Sequence, residues 1–315
     1  MFDLTQPIYQ DADKAREHLE SIQWPDGPEC PHCGNCDQKA ITKLAGKSTR
    51  PGVYKCNACR SPFSVTVGTV FERSKVPLNK WVLATHLMAS SKKGMSAHQL
   101  HRMLGVTYKT AWFMSHRIRE AMAEDNNTSG PMGGTGKTVE ADETYIGKKE
   151  GWKPNPNAVK SGKAGAASKR TVVGLVERGG KVRTFHVKHA TRESVRDVLV
   201  RNVSRDTNLY TDESRLYTKT GKEYASHETV KHSAGEYARG IVHTNTIENV
   251  FSVFKRGMRG IYQHCAEKHL HRYLSEFDFR YNRRAALKVS DAERAEQLLQ
   301  AIRGKRLTYR RIGEI

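Results

Sequence analysis

Four cysteines stand as Cys30-Pro-His-Cys33 and Cys56-Asn-Ala-Cys59, two identically spaced pairs separated by residues 34–55, 22 in all. A C-x2-C turn presents two thiolates from one tight bend, and two such turns close a tetrahedral metal site. The long gap predicts an extended hairpin from Lys43 to Tyr54, and Cys36 lies close enough to compete with Cys33. Disulfides are the competing reading, but nothing else marks a secreted protein. The expectation is one structural Zn2+ on Cys30, Cys33, Cys56 and Cys59. Catalytic zinc does not fit, because four thiolates leave no open position for water.

The charge balance names the partner class. Among 315 residues, 53 Lys and Arg face 33 Asp and Glu, a formal net charge of +20. Such an excess implies a polyanion, and the basic residues gather near aromatics and motifs, which points to nucleic acid. A hydrophobic content of 37% supports a packed core and excludes a wholly disordered chain. The longest apolar run, Trp81 to Ala89, is interrupted by Thr85 and His86 and is far shorter than the ~20 residues of a membrane span. No membrane partner is expected. The opening Met-Phe-Asp-Leu-Thr-Gln lacks secretory signal features, so a cytoplasmic location is expected.

Helical periodicity begins at Leu78 to Ser90. A short helix capped by Ser96 then runs to Gly105, and a basic helix covers Thr110 to Met122, together reading as helix-turn-helix. In that reading Trp112, Phe113 and Ile118 are core, while Tyr108, Lys109, Ser115, His116, Arg117 and Arg119 are free to meet DNA. An ordinary helical hairpin has the same spacing. A polar Gly-rich linker follows, and then a second layer begins. Val139 to Ile146 reads as a strand, Thr171 to Glu177 with Lys181 to Lys188 as a β-hairpin, and Thr191 to Asn202 as a helix. Asn208 to Asp212 is a short strand and Glu228 to His232 a weaker one. Asn245 to Tyr262 carries a buried stripe of Ile247, Val250, Phe251, Phe254 and Met258, and Glu267 to Tyr281 repeats the pattern. Ser290 and Glu293 form a capping box for a last helix. The fold class is α/β, a mixed sheet with flanking helices. The expected organisation is a ribbon segment at 1–75, helix-turn-helix at 76–125, linker at 126–137, catalytic domain at 138–288, and a C-terminal helix with basic tail at 289–315. Residues 147–170 hold seven Lys or Arg and one Glu, a cationic loop whose Lys148, Lys149 and Lys153 suit backbone phosphates.

Carboxylates stand out in so basic a chain. Glu140, Asp142 and Thr144 share one strand face by alternation, and Glu143 points the other way. Asp212 ends the next strand but two, where an edge can set it beside Asp142, and Glu248 follows near the start of the long helix. Two Asp and a Glu make an oxygen set for two Mg2+ ions, which can activate a hydroxyl and stabilise a leaving oxygen. Glu248 has a rival role, since Asn245-Thr-Ile-Glu248 fits an N-cap with its partner Glu. Glu248, Ser252, Lys255 and Arg259 share a helix face that is either solvated surface or a site wall.

The runs Glu140-Ala-Asp-Glu-Thr-Tyr-Ile-Gly147, Tyr-Thr-Asp212-Glu, His243-Thr-Asn-Thr-Ile-Glu-Asn-Val-Phe-Ser-Val-Phe-Lys-Arg-Gly257 and Tyr273-Leu-Ser-Glu-Phe-Asp-Phe-Arg-Tyr-Asn282 carry a resemblance. In that order they resemble the bacterial insertion-sequence transposases of the group numbered 1595, over roughly Trp24 to Arg284. The resemblance implies a zinc ribbon, a helix-turn-helix and an RNase H-like catalytic domain of the DDE class. It implies Asp142 and Asp212 as the first two acids holding Mg2+ (or Mn2+), with Lys255 the accompanying base. The family's third position varies between Asn and Glu. Glu248 is the better physical candidate because a carboxylate adds charge, with Asn245 second. The implied partners are double-stranded DNA, as terminal inverted repeats and target, and a second copy in a synaptic complex, in the nucleoid. The implied activity is cleavage at element ends and joining of the 3′-hydroxyl to target DNA. A structure-specific nuclease of the same fold, or a transcription factor with an inactive second domain, are the alternatives.

Overall fold

The computed structural model describes residues 3–124, 130–153 and 168–308. Residues 126–129 of the expected linker, 154–167 of the cationic loop and 309–315 of the tail lie outside the described residues. The chain forms two compact units, residues 1–123 with 283–315, and residues 124–282.

The first unit opens with helices α1 (Pro7–Gln10) and α2 (Ala12–Gln23), where Asp11 caps α2 by accepting from the backbone N–H groups of Asp13 and Lys14. Strands β1 (Ile41–Lys43), β2 (Tyr54–Cys56) and β3 (Pro62–Phe63) form a small antiparallel sheet, with Lys43 opposite Tyr54. Helix α3 (Leu78–Ser90) is buried on several sides, its Trp81 ring 4.7 Å from Phe71. Helix α4 (Ala97–Leu104) is capped by Ser96 and ends at Gly105, whose φ of 58° is the left-handed turn that glycine adopts without strain. Thr107 caps α5 (Tyr108–Met122). A last helix, Asp291–Gln300, capped by Ser290, packs on α2 and α3. Residues from 283 onward thus complete a unit begun at the other end of the chain.

The second unit holds a five-stranded sheet. Its central strand β4 (Thr138–Lys148) is antiparallel to β5 (Lys169–Glu177), which pairs with β6 (Val182–Val187). On the other side β4 runs parallel to β7 (Asn208–Asp212), and β7 parallel to β8 (Ser226–Val230). The order β6-β5-β4-β7-β8 is the mixed arrangement of the RNase H-like fold. Helix α6 (Arg192–Asn202) covers one face, burying Val195 and Leu199 against Val139, Ala141 and Leu209. A small hairpin of β9 (Ala238–Arg239) and β10 (Val242–His243) leads into helix α7 (Asn245–Gly257), and α8 (Leu270–Asn282) follows. Both helices cover the second face, where Ile247, Phe251 and Phe254 are buried at roughly 1.5–3 kcal/mol each. Gly174 sits opposite Asp142 in the ladder, and a Cβ there would lie 2.7 Å from Ile247 and Phe251. The missing side chain lets α7 approach the sheet at the level of Asp142. Contrary to the single helix expected to Tyr262, α7 ends at Gly257 and a wider π turn covers Met258–Tyr262. No helix among the described residues is long and apolar enough to cross a membrane.

Candidate active site and zinc centre

The sulfurs of Cys30, Cys33, Cys56 and Cys59 all lie within 4.8 Å of one another, with 3.7 Å between Cys30 and Cys59 and between Cys33 and Cys56. Four sulfurs at about 2.3 Å from a central ion form a tetrahedron with edges of about 3.8 Å, so the set has the dimensions of a structural Zn2+ site. Cys36 is exposed and stands outside the group.

The acids meet at a fork in the second unit. The parallel ladder joins Thr138 to Asn208, Val139 to Leu209 and Glu140 to Tyr210, and stops there, although Asp142 and Asp212 are next in register on the same face. Strands β4 and β7 diverge at that point, leaving a crevice at the carboxyl ends of parallel strands, the usual place for a ligand in such sheets. Carboxylate oxygens of Asp142, Asp212 and Glu143 lie within 4.8 Å of one another. Glu143 keeps its alternate orientation but reaches the cluster, and the buried Tyr217 hydroxyl donates to its Oε2 at 2.8 Å. Burial, then the charge of Asp212, pushes the Asp142 carboxyl up to about 8. Burial also raises Asp212 and Glu143, although a backbone N–H from Ser214 and the Tyr217 hydroxyl partly offset it. Three half-buried acids whose charges oppose one another, all with oxygen donors, fit a hard divalent cation.

Glu248 stands across the mouth, outside the tight cluster. Its Oε1 accepts from the Thr244 hydroxyl at 3.0 Å and faces His232 Nε2 at 3.5 Å. An open groove of about 740 Å³ runs from Asp142 and Glu143 past Glu248 and Ser252 to Lys255, Arg256 and Arg259. That helix face lines the groove with Glu248, Ser252 and Arg259 exposed and Lys255 half-buried. Burial, followed by repulsion from Arg259, lowers the pKa of Lys255. Neither Lys255 nor Arg259 has a salt bridge among the described residues.

The start of α7 differs from expectation. Thr244, not Asn245, is the N-cap residue, and Asn245 is exposed as the first helical residue. The cap comes from another strand: the fully buried Glu140 accepts from the backbone N–H of Thr246 at 2.9 Å and of Ile247 at 3.1 Å, and from the Thr246 hydroxyl at 2.9 Å. Arg178 Nε donates to the same carboxylate at 2.7 Å. A capping role for Asn245 and Glu248 thus gives way to Glu140, which sequence reading had grouped with Asp142. A carboxylate at the third residue of its strand carries no local signal that it will cap a helix more than a hundred residues on.

The helix-turn-helix reading needs a correction. Ser115, His116, Arg117 and Arg119 are buried, not free for DNA. Arg117 donates to the carbonyls of Glu72 and Leu307, Arg119 to Ser115 Oγ, and Lys305 to the carbonyls of Ala121 and Ala123. The C-terminal segment thus bonds to the second half of α5, at Arg117 and Ala121, and to Ala123 just beyond it. Tyr108 and Lys109 remain exposed there, Tyr108 stacked on His98 at 4.2 Å, while Trp112 and Phe113 are only partly buried. Lys148 lies over the Trp152 ring at 5.7 Å, Lys149 Nζ is 3.2 Å from His189 Nδ1, and Lys153 is exposed.

A mixed sheet with paired aspartates at a parallel fork, in a chain with a four-thiolate ribbon, is the architecture of DDE-class transposases. Residues 133–282 match the ISXO2-like transposase domain and residues 10–61 the transposase zinc-ribbon domain. An "uncharacterized protein in transposable element ISH50" from Halobacterium salinarum is 31% identical over 283 residues, 85% of this chain and 90% of that protein. The chain belongs to the ISXO2-like transposase family, a membership that carries DNA binding with it.

Proposed function

We propose that this protein is a DNA transposase that cleaves at the ends of its insertion sequence and joins the freed 3′-hydroxyl to target DNA by transesterification. The observation that carries the reading is the fork of Asp142 and Asp212 opening into a groove whose far wall is Lys255 and Arg259. Asp142 and Asp212 would hold Mg2+ or Mn2+, with Glu248 as the third ligand from across the mouth and Asn245 as second choice. Bound there, the cation supplies charge for the attacking and leaving oxygens. The chain's own residues do the rest. Lys255 donates to a phosphate oxygen beside the scissile bond, Glu143 adds negative charge that retains the cation, and the partial burial of the acids strengthens each contact. Positioning and charge neutralisation are what in-line displacement requires, which accounts for a site built without a side-chain nucleophile. The ribbon and the helical hairpin would grip the terminal repeats through Tyr108 and Lys109, Lys148, Lys149 and Lys153 would meet backbone phosphates, and two or more copies would pair the ends in the nucleoid.

A strand-transfer assay tests this. Duplexes carrying the terminal repeat that flanks the coding sequence should be nicked with Mg2+ or Mn2+ and joined to a target plasmid, and Asp142→Asn should abolish both steps. Cutting without joining would instead make the protein a nuclease, and specific binding without cutting would make it a DNA-binding regulator.

A further inference from the structure

Among the described residues the two most exposed large hydrophobic side chains, Tyr237 at 62% and Ile241 at 73%, belong to one element, the β9–β10 hairpin. Gly240, with φ of 60°, opens its two-residue turn, and Ile241 completes it at the tip. This exposure is not the looseness of an untethered loop. On one side Ser233 donates its N–H and hydroxyl to Glu213, the residue after Asp212, at 3.0 and 2.7 Å. On the other, Arg178, held by Glu140, donates to the carbonyls of Ile241 and His243 at 2.6 and 2.9 Å. At the hairpin's base His232 faces Glu248 at 3.5 Å, and its ring meets Tyr237 edge-on at 5.3 Å. A braced hairpin therefore projects an aromatic ring and an aliphatic tip into solvent, one side chain away from the acid site. Lys231 is exposed beside them, and Arg239, also exposed, pairs with Glu228 at 2.8 Å.

We propose that this hairpin is a wedge for DNA: Ile241 enters the stack at the base pairs flanking the scissile phosphate, and Tyr237 stacks on the base thereby unpaired. Apolar side chains inserted between base steps unstack them, and an aromatic ring supports a freed base of any sequence. The inference rests on the reading of the chain as a DNA-cleaving enzyme. Tyr237 and Ile241 are positioning residues, and neither touches the reacting atoms.

The test uses the full chain and two duplexes carrying the terminal repeat, one fully paired and one with the two pairs at the cleavage point mismatched. A 2-aminopurine at the first of these positions reports unstacking. Tyr237→Ala with Ile241→Ala should slow cleavage of the paired duplex at least tenfold, leave duplex affinity within about twofold, and recover on the mismatched duplex. Tyr237→Phe should behave as wild type. Because a base stacked on the Tyr237 ring is partly quenched, fluorescence should rise most with Tyr237→Ala, where Ile241 still unstacks the base, rise less with wild type, and stay flat with the double variant. Equal cleavage of the paired duplex by variant and wild type overturns the wedge. So does equal loss on both duplexes with a changed oligomeric state, which would make the hairpin a contact between copies. If wild type cleaves neither duplex, the enzyme reading fails, and the fluorescence still decides the wedge.

Discussion

Removing the carboxylate of Glu140 should disturb the protein more than removing any acid at the fork. Its side chain is fully buried and accepts from Arg178, from two backbone N–H groups at the start of α7 and from the Thr246 hydroxyl. Breaking a buried pair by deleting one partner costs about 3–5 kcal/mol. The Arg178 side chain is 24% exposed and keeps its bonds to the hairpin, so part of that cost is recovered by water. A lost N-cap adds about 1 kcal/mol. Glu140→Ala should therefore destabilise the second unit by about 3–4 kcal/mol, which at roughly 2–4 °C per kcal/mol for a unit of this size lowers its melting temperature by about 6–16 °C. Glu140→Gln keeps one acceptor for the helix and should lose about half as much. Because α7 carries Glu248 and Lys255, cleavage by Glu140→Ala should fall at least tenfold at a temperature where the variant is fully folded. Melting curves for Glu140→Ala, Arg178→Ala and the double variant measure the coupling directly. A shift under about 2 °C, or additive single effects, would refute the cap, since residues that share these bonds must couple.

Cys56→Ser should release zinc and unfold the ribbon, because metal binding worth about 10 kcal/mol or more is folding energy in such sites; stoichiometric zinc in the purified variant would contradict the centre. Asp278 accepts from the N–H and hydroxyl of Thr184, and burial raises its carboxyl to about 7. Between its ordinary range and 7 the folded state holds more protons than the unfolded one, so stability should fall as pH rises from about 4 to 7, and Asp278→Asn should remove its share of that fall in melting experiments while the Asp142 share, raised to about 8, remains. Glu248→Gln should leave the melting temperature nearly unchanged and collapse metal-dependent cleavage, whereas Asn245→Ala should be mild in both. An active Glu248→Gln beside an inactive, folded Asn245→Ala would move the third position to Asn245. End binding should weaken with salt along a slope of about −0.9 per phosphate contacted, and a flat titration would deny the basic surface its role.

Local signals carried far where short-range physics decides. The stripe Ile247, Val250, Phe251, Phe254 and Met258 is buried as a 3.6-residue period requires, and Ser96, Gly105 and Ser290 bound their helices where their side chains, or the lack of one, dictate. Asp142 and Asp212 were legible as neighbours because Asp212 ends a short apolar strand and Asp142 lies within the strand beside it. What failed was set by distant chain. Arg117 and Arg119 look like an exposed basic stripe until residues near 305 close over them. Asn245 has the right residue type for a cap, but Glu140 reaches the helix end first through the sheet. Glu143 obeys strand alternation, and only the splaying of β7 from β4 brings its carboxylate around to the cluster.

The closing of the first unit by residues from 283 onward has a consequence for the order of synthesis. Chains emerge N-terminus first at about 5–20 residues per second, so the segment that bonds to α5 leaves the ribosome only after residues 124–282. The zinc ribbon can form early, but the helices behind it wait for the whole second unit to be made. A chain cut short within the second unit would therefore carry a ribbon but lack the segment that closes the helices of the first unit.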